Sequence, residues 1–175
     1  MEQSKLIRSN SYIERKEFEN GIQESILDDN CGVHVLWAPA NFEKDIAVGK
    51  VSLNLQMNNI IDGVIYIKCD GSDKDFESLQ RWLCLKLRIP NNQPLGDFID
   101  RYQRILLIIN NFDMLMNHDR YESFVTSLAE DSVFRKTYSV IILVDSDIYF
   151  KKILNYNHVQ KVRPCFFALR NQSIY

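Results

Sequence analysis

The chain has 175 residues, of which 46% are hydrophobic and 25% charged, with only six glycines and four prolines. This composition excludes a disordered chain and leaves room for one sizeable globular domain. Lysine and arginine total 21 against 23 aspartates and glutamates, which argues against a generally basic nucleic-acid-binding surface.

Two classes of sequence feature are missing. No stretch approaches about 20 apolar residues, so the sequence predicts no membrane span, and the first residues lack the apolar run of a secretory signal. The cysteines are widely spaced, without a C-x-x-C pair, and with only three histidines they do not favour a zinc site. They are Cys31, Cys69, Cys84 and Cys165. We expect reduced thiols and an intracellular protein, cytoplasmic or nuclear.

In chain order, helical patterns alternate with short apolar runs. Phe18, Ile22 and Ile26 follow a candidate capping box at Ser11 and Glu14. Strands are predicted at 32–37, 63–68, 104–110 and 138–144, with a weaker candidate at 165–169. Helices after the second and third strands are predicted from caps at Ser72, Asp75, Asp119 and Glu122 and from apolar faces at Phe76, Leu79, Trp82, Leu83, Tyr121, Phe124, Val125 and Leu128.

Residues 45–58 are ambiguous, because the alternation of Val51, Leu53, Leu55 and Met57 suits a strand as well as a helix. A crossover between parallel strands needs about a dozen residues and is usually helical, so we predict a helix. The resulting order indicates an α/β fold, a three-layer α/β/α sandwich with a mainly parallel five-stranded sheet. We divide the chain into an N-terminal segment and helix (1–30) and an α/β core (31–175).

The loop after the first strand and the end of the third strand carry the most informative motifs. Residues 38–45 read APANFEKD, which aligns with the phosphate-binding pattern G-x-x-x-x-G-K-[ST]. Residues 105–115 read ILLIINNFDML, an apolar strand followed by polar residues. In the order of these motifs along the predicted strands and helices, the chain resembles the AAA+ and STAND-like ATPases of the P-loop class over residues 10–154.

The resemblance implies a degenerate Walker A loop. Ala38 and Glu43 stand in the two glycine positions, Lys44 matches the lysine, and Asp45 replaces the Mg²⁺-linked hydroxyl residue. The glycine before the lysine lets backbone N–H groups close around a phosphate, whereas Glu43 adds a Cβ and a negative charge there. A second frame, Gly49-Lys50 followed by Ser52, places the hydroxyl one residue late and falls inside the predicted helix.

The resemblance also implies a degenerate Walker B motif. Asn110 replaces the Mg²⁺-linked aspartate and Asn111 the general base, and an amide can neither take up a proton nor balance the metal charge. Asp113 either compensates in part or pairs locally, and we favour the second.

Three other positions match the family more loosely. The opening segment, with Tyr12, Ile13, Arg15 and Glu19, corresponds to the family's stretch near the adenine. Asp145 and Ser146 occupy the sensor-like position after the fourth strand, where a helix cap is an equal explanation. Arg135 is either an arginine finger or a helix-end residue in solvent, and we favour the latter. We expect the family's helical lid to be absent, because few residues follow the last predicted strand.

The charge is divided unevenly along the chain. Lys151, Lys152, Lys161, Arg163 and Arg170 give the last 28 residues +5, which leaves the first 147 with 16 basic against 23 acidic residues, a net −7. This basic surface either contacts nucleic acid or an acidic partner, or is simply solvated, and we favour solvation.

We therefore predict a non-hydrolysing P-loop NTPase-like domain that serves as a structural or scaffolding subunit and binds other protein subunits, without a metal or cofactor. Lys44 would be held by Glu43, Asp45 or Asp113 instead of by a phosphate. A virion component is one candidate role. The alternatives are an ATPase switch that binds ATP with Mg²⁺ through Lys44, Asp45 and Asp113, and a nucleic-acid-associated subunit that uses the basic C-terminal segment.

Overall fold

The structure is a computed structural model of the chain and describes residues 15–28, 32–39, 42–70, 79–89, 95–100, 104–115, 121–145 and 159–162. The helices are α1 (Lys16–Ile26), α2 (Lys44–Met57), α3 (Leu79–Lys86), α4 (Leu95–Ile99) and α5 (Tyr121–Arg135), with a 3₁₀ helix at Phe112–Leu115. The strands are β1 (Val33–Trp37), β2 (Gly63–Lys68), β3 (Ile105–Asn110), β4 (Tyr138–Val144) and β5 (Val159–Val162).

The five strands form one parallel sheet in the order β2-β3-β4-β1-β5. All six residues of β3 are buried, and so are six of the seven in β4. Continuous apolar runs of this kind form central strands because helices cover both faces of a parallel sheet. The predicted α/β/α sandwich with a parallel five-stranded sheet is confirmed.

Successive residues of each strand point to opposite faces, which divides the core into two apolar clusters. Leu107 and Ile109 of β3 face α3 and α5, where Trp82 is fully buried. Leu106 and Ile108 face α1 and α2. Helix α1 packs into this second cluster through Phe18, Ile22 and Ile26, as its spacing predicts. The division of the chain at residue 30 stays a prediction.

Helix α2 resolves the ambiguous segment in favour of the helix. Val51 and Leu55, one turn apart, are buried against the sheet, whereas Leu53 and Met57 are exposed. The four alternating apolar residues therefore include two that pack in the core and two that face solvent. In the predicted apolar faces of α3 and α5, the buried residues are Leu79, Trp82, Leu83, Phe124, Val125 and Leu128. Tyr121 is half-buried, and Phe76 lies outside the described residues.

The fifth strand of the sheet, β5, was not predicted. It lies at Val159–Val162, six residues before the predicted 165–169 segment, and pairs with β1 on the border of the sheet. Its sequence, VQKV, has two polar residues between its valines and therefore lacks the continuous apolar run from which the other strands were predicted. Helix α4 was not predicted. The segment 165–169 and the predicted caps at Ser11, Glu14, Ser72, Asp75 and Asp119 lie outside the described residues.

Within the described part of the chain, no helix is both long and apolar enough to cross a membrane.

Candidate functional site

The candidate site lies at the carboxyl edge of the sheet, where β1, β3 and β4 end. Because β1 and β4 are neighbours, the loop after β1 begins directly beside the end of β4. The Ala38 backbone N–H donates to the Val144 carbonyl at 3.3 Å, and the Trp37 indole Nε1–H donates to the Asp145 carbonyl at 3.0 Å. Ala38 itself is fully buried. In open α/β sheets this is the edge at which ligands bind.

Glu43 ends the loop in a left-handed conformation, with φ 53° and ψ 35°. It is the N-cap of α2, and its carbonyl accepts hydrogen bonds from the N–H groups of Ile46 and Ala47, both at 3.1 Å. Left-handed backbone favours glycine, which is the residue that the phosphate-binding pattern has at this position. The chain therefore retains a glycine-like backbone turn but carries a half-buried glutamate side chain on it.

Lys44, the next residue, is paired within the chain. Its side chain is buried, with a relative exposure of 7%, and Nζ forms an ion pair with Oδ1 of Asp145, whose side chain is about half exposed. The Asp145 backbone N–H donates in turn to Oδ2 of Asp113 at 2.8 Å. Lys44, Asp145 and Asp113, here called the lysine clamp, thus connect the start of α2 to the ends of β4 and β3.

The partner of Lys44 differs from the three predicted ones. Asp45 turns back onto its own helix, where Oδ1 accepts the Ile46 N–H at 3.0 Å, and Asp113 binds the backbone of Asp145. The acid that reaches Lys44 is Asp145, which the sequence analysis placed in the sensor-like position. The adjacency of β1 and β4, typical of the fold that the motifs suggested, was the signal that could have identified this pair.

Asn110, the last residue of β3, and Asn111, which follows it, form a closed hydrogen-bonded turn. Asn110 is 5% exposed; its Nδ2 donates to the Tyr66 hydroxyl, and its Oδ1 accepts the Asn111 N–H at 2.8 Å. Asn111 is left-handed, with φ 58°, and its carbonyl accepts the N–H of Met114 at 3.0 Å. The amide of Asn110 is therefore used at both ends to hold the turn.

These residues do not fit an ATP·Mg²⁺ complex. Mg²⁺ binds through carboxylates and phosphate oxygens, but Asn110 and Asn111 are neutral amides and the Asp113 carboxylate accepts a backbone N–H. The lysine that would bind phosphate already has a carboxylate partner. Across the described residues, no group of three or more His, Cys, Asp or Glu side chains is arranged to hold a metal ion.

Arg15 attaches the opening segment to the loop after β1. Its guanidinium carbon lies 4.0 Å from the centre of the Phe42 ring, and Nη1 donates to the Phe42 carbonyl. Phe18 packs edge-on against the same ring, with centroids 5.2 Å apart. Glu19, also matched to the opening segment, pairs with Lys50 of α2 at 3.1 Å. Tyr12 and Ile13 lie outside the described residues.

The second phosphate-loop frame is excluded by its location. Gly49, Lys50 and Ser52 all lie inside α2, and the Ser52 hydroxyl donates to the Val48 carbonyl at 2.6 Å. A continuous helix offers no loop of free N–H groups to a phosphate.

Arg135 lies at the end of α5, at the amino edge of the sheet and away from the lysine clamp. Its guanidinium contacts Asp131 at 2.9 Å, Asp100 at 2.5 Å and Asp97 at 3.7 Å. The hydrogen bond that the Arg135 guanidinium donates to the Asp131 carboxylate raises the pKa of Arg135. Arg135 therefore connects α5 to α4 and to the residue that follows it. The arginine-finger role stays a prediction.

Several residues predicted for the sensor-like position and for the basic surface lie outside the part of the chain that the structure describes. These are Ser146, Lys151, Lys152, Arg163 and Arg170; Lys161 belongs to β5.

The chain has no match among protein-family models and none among curated protein sequences. In structure it is similar to a Walker-type ATPase of Pyrococcus abyssi, with a TM-score of 0.56 at 13% identity over 90% of this chain and 55% of that one. It is also similar to Cdc6p of Pyrobaculum aerophilum (TM-score 0.57, 12% identity, 91% and 48% covered). The Orc1 protein of Aeropyrum pernix in complex with DNA gives a TM-score of 0.55 at 8% identity, with 93% and 49% covered.

These likenesses show a P-loop NTPase-like fold, as the sequence motifs suggested. The chain spans about half the length of the solved structures that it matches.

Proposed function

We propose that this chain is a non-hydrolysing P-loop NTPase-like domain that acts as a structural subunit of a protein assembly. One observation carries the proposal: Lys44, the one residue of the phosphate-binding pattern that the sequence keeps, is buried in an ion pair with Asp145. The clamp gives this lysine a structural role that does not require a nucleotide.

Electrostatics at the loop support this assignment. A phosphate that approached Lys44 would have to displace Asp145 and would meet the carboxylates of Glu43 and Asp45 at the start of α2. Two like charges 4 Å apart repel by about 4 kcal/mol at an effective dielectric constant of 20, which corresponds to roughly a thousandfold loss of affinity. A helix N-terminus normally attracts anions, but here its own acidic residues already occupy that position.

The chemistry at β3 supports the same conclusion. Phosphoryl transfer to water needs a metal ion to neutralise the developing charge and a group to orient or deprotonate the water. Asn110 and Asn111 supply neither, and the Asn110 amide is fixed by Tyr66 and by the Asn111 N–H. Binding of a protein partner, which needs no such groups, is compatible with every residue of the site.

Steady-state phosphate release from ATP and Mg²⁺ tests the absence of hydrolysis. We expect a rate indistinguishable from buffer for the wild-type chain and for Lys44→Ala alike. A rate that exceeds buffer and disappears in Lys44→Ala would overturn the proposal in favour of an ATPase with unorthodox ligands. Asp28→Ala, at a carboxylate outside the site, is a control for contaminating activity, which it should leave unchanged.

Association with nucleic acid is a second candidate function. It is favoured by the +5 charge of the last 28 residues and by the Orc1 structure, which contains DNA. Binding through this segment would fall steeply with salt concentration and disappear when Lys151, Lys152 and Lys161 are neutralised. A flat salt response would reject this candidate.

A further inference from the structure

The outer face of α5 carries one aromatic side chain that is open to solvent. The exposed residues of the helix follow a spacing of four, three and four, which places them on one face: Ser123, Ser127, Glu130 and Phe134. Phe134 is 86% exposed, more than any other large hydrophobic residue that the structure describes. Among the described residues no aromatic ring or cation packs on it. Both faces of the ring are therefore accessible to a partner, and buried aromatic rings dominate the energetics of protein interfaces.

Two carboxylates flank the Phe134 ring on its own helix. Glu130 and Asp131 lie one turn earlier, at the positions four and three residues before it, whose side chains are neighbours on a helix surface. Asp131 is already engaged, because it accepts hydrogen bonds from Arg135 at 2.9 Å and from the Tyr138 hydroxyl at 2.8 Å. Glu130 is exposed, and within the described part of the chain it forms no ion pair. Glu130 is thus the carboxylate beside the ring that is open to a cationic ligand.

The charges at this end of α5 do not cancel. Arg135 is paired with three carboxylates that stay 35–57% exposed, those of Asp97, Asp100 and Asp131. Glu130 adds a fourth negative charge, and Lys136, the exposed residue after the helix, adds a second positive one. Four negative charges against two positive ones leave a net −2. Arg104 and Asp62, which meet at the same edge of the sheet, contribute one charge of each sign and do not change this balance.

We propose that the Phe134 surface, formed by Glu130, Asp131 and Phe134, binds an arginine-bearing segment of another protein subunit. A guanidinium group stacks on an aromatic face and donates paired hydrogen bonds to a carboxylate, and here both groups lie one helical turn apart. The excess of carboxylates repels phosphates, so nucleic acid does not fit this surface. The inference rests on the proposed function in treating the chain as a subunit of an assembly. Its test contains no nucleotide, so the two proposals can fail separately.

An NMR titration with a hexapeptide of alternating arginine and glycine, acetylated and amidated, tests the surface. Backbone amide signals of residues 127–136 should shift saturably, with a dissociation constant on the order of millimolar for contacts this exposed. Signals of residues 48–52 in α2, on the opposite face of the sheet, should not move. The analogous lysine peptide should bind about threefold more weakly, since an ammonium group lacks the planar surface that stacks on a ring.

Variants of Phe134 separate stacking from simple charge attraction. Phe134→Ser should weaken binding of the arginine peptide at least about threefold and remove its advantage over the lysine peptide, because the guanidinium loses the ring. Phe134→Tyr keeps the ring and should retain the affinity within about twofold. Because Phe134 contributes little to the core, neither substitution should shift amide signals away from the end of α5.

A matched pair of carboxylate variants tests the charge. Glu130→Gln should weaken binding about twofold or more, whereas Glu24→Gln, at an exposed carboxylate of α1, should leave the affinity unchanged. Equal affinity of Phe134→Ser and wild type for the arginine peptide would overturn the proposal, as would equal effects of the two glutamine variants. Self-association of the wild-type chain that Phe134→Ser abolishes would also overturn it, because the surface would then bind a second copy of this chain.

Discussion

Lys44 and Asp145, 101 residues apart in the chain, meet at the carboxyl edge of the sheet as an ion pair. The parallel pairing of β1 with β4 brings them together, because α2 begins just beyond the end of β1 and Asp145 follows β4 directly. Asp113 fixes the position of Asp145 through its backbone N–H. The result is a P-loop NTPase-like fold in which Lys44, at the start of α2, is bound by a carboxylate of its own chain.

Removing Asp145 should destabilise the domain more than removing Lys44. Asp145→Asn leaves a buried ammonium group without its charge partner, and we expect a loss of about 1–3 kcal/mol, reduced by the partial exposure of Asp145. Lys44→Met replaces the charge with an apolar chain of similar length and should change the free energy of unfolding by less than about 1 kcal/mol. Urea denaturation measures both.

The double variant Lys44→Met with Asp145→Asn is the matched control for the clamp. It should be close to Lys44→Met alone, since no unpaired charge is left buried. A loss in the double variant equal to the sum of the two single losses would show that the Lys44 and Asp145 side chains do not stabilise each other.

Glu43→Gly should stabilise the domain. The left-handed backbone at this position costs a residue with a Cβ about 1 kcal/mol, and glycine avoids that cost. We expect a gain of about 0.5–1 kcal/mol in thermal or urea unfolding. Glu43→Ala removes the same carboxylate but keeps the Cβ; if it stabilised the protein as much as the glycine, charge rather than backbone strain would be the cause.

Arg15→Ala should loosen the loop after β1. The substitution removes both the stacking on Phe42 and the hydrogen bond to its carbonyl, together worth about 1–2 kcal/mol. Hydrogen exchange should then increase at the N–H of Phe42, which donates to the Pro39 carbonyl at 2.9 Å. Lys16→Ala, at the exposed neighbouring residue, should leave both stability and exchange unchanged. The same protection in Arg15→Ala as in wild type would refute this role.

Tyr138 should make the domain sensitive to alkaline pH. Burial, with a further contribution from the hydrogen bond to Asp131 at 2.8 Å, raises the pKa of Tyr138 well above its usual value. Below pH of about 10 the hydroxyl is protonated in both states, whereas above it only the unfolded chain ionises, so stability falls as the pH rises. Between about pH 9.5 and 11, the free energy of unfolding should fall more steeply for wild type than for Tyr138→Phe. Parallel curves would contradict this prediction.

Sequence reasoning predicted the central sheet closely, because β3 and β4 are long apolar runs whose burial on both faces leaves few alternatives. It did not identify the strand at Val159–Val162, since the sequence VQKV has two polar residues between its valines and carries no such run. It also left the segment of α2 ambiguous between helix and strand, because the exposed Leu53 and Met57 produce the alternating apolar pattern of a strand.

At the candidate site, the motifs singled out residues but did not predict their partners. Asn110 and Lys44 were both found by alignment with the phosphate-loop patterns. The pairing of Lys44 with Asp145 depends on which strands are neighbours and on side-chain geometry across the sheet edge, and neither is written in local spacing. The Arg15–Phe42 contact is non-local in the same way.

Calorimetric titration of the wild-type chain with ATP and Mg²⁺ tests the central claim most directly. With Lys44 in an ion pair and no carboxylate at Asn110 or Asn111, we predict no saturable heat at micromolar to millimolar nucleotide. Saturable micromolar binding that disappears in Lys44→Ala would contradict the account, because it would show that a phosphate displaces Asp145 from Lys44.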